Sequence, residues 1–130
     1  MDYRTITDRD SEQYVMQQSA ATGECGVRKF NEDYMVAMGT FYAERAGERF
    51  RIALDSGSVF TVITGDIKNP THTDSTNRYS EIDGSSGNLL EFIVDGYAVD
   101  NMVVFLGDVS YYDKFEGDIV SIEYLGYAFE

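Results

Sequence analysis

The sequence predicts one mainly β domain carrying a short helical extension at its N-terminal side, and three observations lead there. Five apolar or alternating runs of strand length follow one another, Tyr34 to Met38, Phe50 to Leu54, Val59 to Thr64, Leu89 to Val94 and Ile119 to Tyr124, with Gly, Asp, Asn and Ser between them. Asp55-Ser56-Gly57-Ser58, between the second and third runs, is a tight hairpin signal, with Gly57 free to take a positive φ. The third run is apolar on both faces. Phe60, Val62 and Thr64 share one side and Val59, Thr61 and Ile63 the other, a pattern that suits a small closed barrel.

The boundary between the extension and the β domain falls between residues 33 and 34, giving 1–33 and 34–130. In Asp10 to Ala21, Asp10 or Ser11 can cap a helix, Glu12 and Gln13 occupy its first turn, and Gly23 would stop it. Its apolar stripe is thin, Tyr14, Val15 and Ala21, so the helix is expected to lie against the domain. Pro70 follows the third run at a distance that agrees with the strand having ended. The run Tyr97 to Leu106 reads as strand or short helix, and periodicity leaves both open.

Composition sets the outer limits. A chain of 130 residues, 43% hydrophobic with 10 Tyr and 8 Phe, supports one core and is too apolar for a disordered acidic tail. The formal charge of −13 opposes binding to nucleic acid or anionic lipid. No apolar stretch approaches bilayer-spanning length and the first residues are too polar for a secretory signal, so the chain is expected to be soluble, with no membrane insertion. Cys25 alone permits no internal disulfide and lacks zinc-ligand spacing.

Polar chemistry concentrates in GDIKNPTHTDSTNRY, Gly65 to Tyr79, which gathers two carboxylates, an amine, the only histidine and several hydroxyls. Alternation places Asp66 and Lys68 on one side, where the cation favours ionised Asp66, whereas burial would raise Asp66 toward a proton donor. The competing reading is that Thr, Asp, Ser and Asn here hydrogen-bond their own backbone through a long turn.

The stretch Tyr34 to Gly126, with YMVAMGTFYAERAGERFRIALDSG, VITGDIKNPTHTDSTNRY, GNLLEFIVD and VVFLGDVS, resembles a C-terminal domain of uncharacterised proteins of Firmicutes and their phages. The hallmark of that domain is a GD pair, a Lys two residues on, HTD-S/T-T with an aromatic, and then EFIVD. Gly65, Asp66, Lys68, His72, Thr73, Asp74, Ser75, Thr76 and Tyr79 match it. The resemblance implies a small six-stranded double-psi-like β-barrel, similar to the three-aspartate domains and to the catalytic barrel of membrane-bound lytic transglycosylases, which act on peptidoglycan. Ile67 and Lys68 would correspond to the IK of a DTGGAIKG-like run and Asp74 to a later Asp, although the DTGG element is absent. By that resemblance Asp66 or Asp74 protonates the glycosidic oxygen and helps the sugar's own hydroxyl close on the anomeric carbon. Lys68, His72, Thr73, Asn77 and Tyr79 would then bind the substrate. The implied partner is peptidoglycan or another glycan, together with other domains if the chain is part of a larger protein. The implied place is the cell envelope, the extracellular space or a phage particle, with no cofactor.

Other readings use other residues. Tyr42, Tyr79, Tyr111 and Tyr112 could line a groove that stacks on sugar rings without catalysis, as a cell-wall-binding or structural module would. Ile52 to Ser58 resembles the hydrophobic-D-S/T-G-S/A turn of aspartic proteases, in which Asp55 of two copies would share a proton, with Phe105-Leu106-Gly107 as the later apolar-apolar-Gly element. His72, Asp74 and Asp66 could offer one nitrogen and two oxygens to a metal ion, but with a single histidine and no thiol nearby no metal is expected.

Overall fold

The computed structural model of the protein describes residues 1–76, 78, 81, 82, 85, 86, 89–99 and 115–129. Ser11 starts the α-helix α1 (Glu12–Ser19), its hydroxyl accepting the Tyr14 N–H at 3.1 Å. The helix is shorter than the expected Asp10 to Ala21, and Gly23 is not its stop. The Ala20 N–H closes on the Gln17 carbonyl, after which Ala21 and Thr22 leave to pair as a strand. Its buried residues are Met16 and Gln17, and Val15, placed on the stripe by sequence, is 59% exposed.

The strands are β1 (Ala21–Thr22), β2 (Arg28–Phe30), β3 (Asp33–Met38), β4 (Glu48–Leu54), β5 (Val59–Ile67), β6 (Glu81–Ile82), β7 (Ser85–Ser86), β8 (Glu91–Phe92) and β9 (Ile119–Tyr127). The protein is mainly β. Seven strands form one mixed sheet in the order β1-β2-β3-β5-β4-β9, with β8 also on β3, while β6 and β7 pair separately. The β3–β5 pair is parallel, running from Tyr34 opposite Val62 to Met38 opposite Ile67; β4 lies antiparallel between β5 and β9. The run Leu89 to Val94 yields strand only at β8, with Val94 adding isolated bridges to Asp2 and Val27. Of the run Tyr97 to Leu106, Tyr97 and Ala98 belong to a turn closed by the Ala98 N–H on Asp95, and the run from 100 onward lies outside the described residues.

The hairpin at Asp55 to Ser58 forms as expected, with the Leu54 N–H on the Ser58 carbonyl and Gly57 at φ 96°. Among the described residues the sheet does not close, and its path ends at β1 and β9. The two-sided burial of β5 that suggested closure has another cause here. Tyr34, Val36, Phe50, Ile52, Phe60 and Val62 pack on one face, while Met35, Ile63 and Ile93 pack on the other beneath Met16 of α1. A helix and N-terminal layer thus covers the second face, and all six residues of β3 are buried. Each large apolar side chain so withdrawn contributes roughly 2 kcal/mol.

Candidate functional site

The polar segment divides between strand and turn. Asp66 and Ile67 are still part of β5, opposite Ala37 and Met38. Asp66 is half-buried, its Oδ1 accepts the Ile67 N–H at 2.9 Å, and its side chain also bonds to Gln13 of α1. Burial raises its pKa, the two hydrogen bonds oppose the rise, and the nearby Glu91 charge adds to it. Lys68 is buried, and its Nζ donates to the Leu89 carbonyl at 3.2 Å. Burial lowers its pKa to about 8 against the pull of Glu91. Glu91, which sequence reasoning did not single out, therefore bears on both groups.

Beyond Lys68 several side chains bond within the turn itself. Asn69 Oδ1 accepts from the Thr71 N–H at 3.0 Å and its hydroxyl at 2.9 Å, and the Thr73 hydroxyl donates to the Pro70 carbonyl at 3.1 Å. Asp74 Oδ1 accepts from the Thr76 N–H, the Thr76 hydroxyl and the Arg78 N–H at 3.1, 2.7 and 3.3 Å. His72 is exposed, and Thr73 is buried. Asn77, Tyr79, Tyr111, Tyr112 and Phe105 to Gly107 lie outside the described residues. No group of three or more His, Cys, Asp or Glu among the described residues is placed to hold a metal ion. Asp55 is exposed at the β4–β5 turn, where its Oδ1 accepts the Asp118 N–H at 3.0 Å.

A second place with site character was only partly foreseen. The connection from β3 to β4 and the facing residues of β4 and β9 enclose an open groove of about 780 Å³ lined by Phe41, Tyr42, Glu44, Arg45, Glu48 and Tyr124, among others. Buried Thr64 ties two of the lining residues together, its hydroxyl donating to the Arg45 carbonyl at 2.9 Å and accepting the Glu48 N–H at 3.0 Å. Gly47, at φ 103°, leaves room for the Phe129 ring, from which a Cβ would stand 2.7 Å away. Both carboxylate oxygens of Glu48 are engaged, Oε1 by Arg45 Nε at 2.7 Å and Oε2 by the Tyr124 hydroxyl. Burial alone would raise the Glu48 pKa, but the Tyr124 and Arg45 hydrogen bonds outweigh it and hold the group below the usual carboxylate range.

These positions do not form one centre. Glu48 alternates with Phe50 and Ile52 on the buried side of β4, whereas Asp66 meets α1, which covers the opposite face of the sheet. Arg78 is the link between the polar turn and the groove, its guanidinium lying 3.7 Å from the Phe41 ring centroid. Of the aromatic residues named from sequence, Tyr42 does line a groove, with Phe41 and Tyr124 beside it. The available signal was TFYAERAG between two strands, where an aromatic pair precedes two charged residues. Comparison with protein-family models, curated proteins and solved structures gives no match to the chain.

Proposed function

We propose that the domain holds a glycan chain in the Phe41–Tyr124 groove, acting as a binding module of a bacterial or phage cell envelope with peptidoglycan or a related polymer as partner. The observation that carries this reading is the pairing of exposed rings with fixed polar groups. Phe41 is 55% and Tyr124 57% exposed, and Glu44, Arg45 and Glu48 line the same groove. Sugar rings offer apolar faces for stacking and hydroxyls for such groups. Glu48, whose pKa is held below the usual carboxylate range, is a poor proton donor.

Tyr42 and Tyr124 of the chain's 10 Tyr line the groove, and with no Trp to mask tyrosine emission their share of it can be followed. Titration with soluble peptidoglycan oligosaccharides should perturb that emission saturably. Tyr124→Ala should weaken binding about 30-fold, equivalent to roughly 2 kcal/mol for a central aromatic contact. No saturable change in the unsubstituted chain would sink the proposal.

One observation favours a second reading, glycan cleavage by a single carboxylate. Burial moves the Asp66 pKa upward, the direction that general-acid work calls for, and Asp66 stands in the motif that resembles the lytic barrels. In this reading Asp66 or Asp74 donates the proton, and the sheet is part of a double-psi-like barrel; a mixed sheet with a central parallel pair is compatible with that architecture. Anhydro-muropeptides released by the protein and absent with an Asp66→Asn, Asp74→Asn chain would establish cleavage. Absence of products from both, beside an active lytic enzyme, leaves binding alone.

A further inference from the structure

The groove's charges are unevenly engaged. Glu48 has an acceptor role on each oxygen, toward Arg45 and toward Tyr124. Arg45 is neutralised by that ion pair, and its guanidinium also lies over the Tyr127 ring, 3.5 Å from the centroid. Arg78, the other cation at this place, is laid against Phe41. Glu44 is different. It is exposed in the groove wall and makes no hydrogen bond or ion pair among the described residues. An incoming ligand therefore meets a carboxylate with no ion pair among the described residues, in a groove that aromatic rings also line, on a chain of formal charge −13.

A carboxylate next to ring faces is the combination that recognises an ammonium, through Coulomb attraction and the negative face of the ring. The guanidinium groups over Phe41 and Tyr127 show that rings in this neighbourhood present their faces to cations. Resting on the glycan reading above, we infer that the groove prefers a glycan with free amino groups, an N-deacetylated hexosamine chain, and that Glu44 is the residue that meets the ammonium. N-acetylated sugars keep the stacking but lose the ion pair.

Calorimetric titration of the full chain with an N-acetylglucosamine tetramer and with its fully de-N-acetylated counterpart separates the two ideas. At about pH 6 and low salt, the amino form should bind about tenfold more tightly, the sum of a cation–π contact and a partly screened ion pair. That advantage should shrink at about 0.5 M salt, where screening acts within a few ångströms, and fall to about threefold in Glu44→Gln, where only the cation–π contact is left. Equal affinities, or tighter binding of the acetylated form, with Tyr124→Ala still weakening both, would overturn the amine preference and leave the glycan reading standing. A preference that persists unchanged in Glu44→Gln would remove Glu44 from the role. Binding of neither tetramer would overturn both readings.

Discussion

Asp66 and Glu48 are two carboxylates withdrawn from water on opposite faces of one sheet, and burial drives both toward the neutral form. They end on opposite sides of the ordinary range. Glu48 is offset by a guanidinium and a phenol, which together outweigh burial. Asp66 has a backbone N–H and a neutral amide, which do not, and the nearby Glu91 charge makes matters worse. The density of polar residues around Asp66 in sequence is thus no measure of how well its charge is accommodated. The better-compensated carboxylate belongs to the more conspicuous groove, assembled from residues that stand far apart in the chain.

The largest effect separating the two regions should come from Lys68. Its pKa is lowered to about 8 in the folded protein, against 10.5 for the free side chain, so burying it charged is unfavourable at neutral pH. Between those values the unfolded chain binds the extra proton, and stability rises with pH by about 3 kcal/mol from this group. Denaturation at pH 8 and at about 10.5 should show that rise in the protein and its loss in Lys68→Met. An identical rise in both chains would mean that Lys68 is better solvated than its position indicates.

On the groove side, Thr64→Val keeps the shape and removes the hydroxyl that holds the Arg45 carbonyl and the Glu48 N–H. It should cost about 2 kcal/mol in urea denaturation, because both backbone groups lose a buried partner, whereas Thr64→Ser should recover most of it. A loss below about 0.5 kcal/mol would show that Arg45 and Glu48 are held without this hydroxyl.

The two carboxylates also make opposite predictions for acid. Glu48, with its pKa lowered, contributes stability that is present above about 4.5 and lost as pH falls through the folded value. Asp66, with its pKa raised, contributes stability that is full below about 3.8 and lost as pH rises through the folded value. Glu48→Gln should therefore flatten the acid-side loss, and Asp66→Asn should remove a decline toward neutrality. Melting temperatures between about pH 3 and 7 read both. Matching profiles for the two variants would erase the distinction between the sites.

The elements were legible where periodicity and turn chemistry agreed. β3, β4, β5 and β9 lie within or around the expected runs, and Gly57 turns the hairpin that its sequence announces. Sheet order was not legible, because the parallel β3–β5 pair joins strands separated by a whole hairpin arm, and nothing local encodes that choice. The cover over Met35 and Ile63 was also hidden. Met16 falls outside the stripe read from Tyr14 and Val15, and among the described residues a packed helix accounts for the two-sided burial that suggested closure. For the groove, Phe41 and Tyr42 were visible as an aromatic pair, but their approach to Tyr124 requires β4 and β9 to be neighbours.

The smallest effect is the most direct discriminator between the two regions. Asp74 Oδ1 holds three donors of its own turn, and Arg78, whose N–H is one of them, reaches Phe41 at the groove. Asp74→Ala should therefore cost about 1 kcal/mol, as loss of a local cap does, and change glycan affinity by no more than about twofold through the displaced Arg78. Asp74→Asn, which keeps an accepting oxygen, should recover most of the stability. If Asp74→Asn instead leaves the melting temperature unchanged while abolishing glycan binding or product release, the carboxylate acts on ligand. The working site would then be the polar turn, and the aromatic groove an accessory surface.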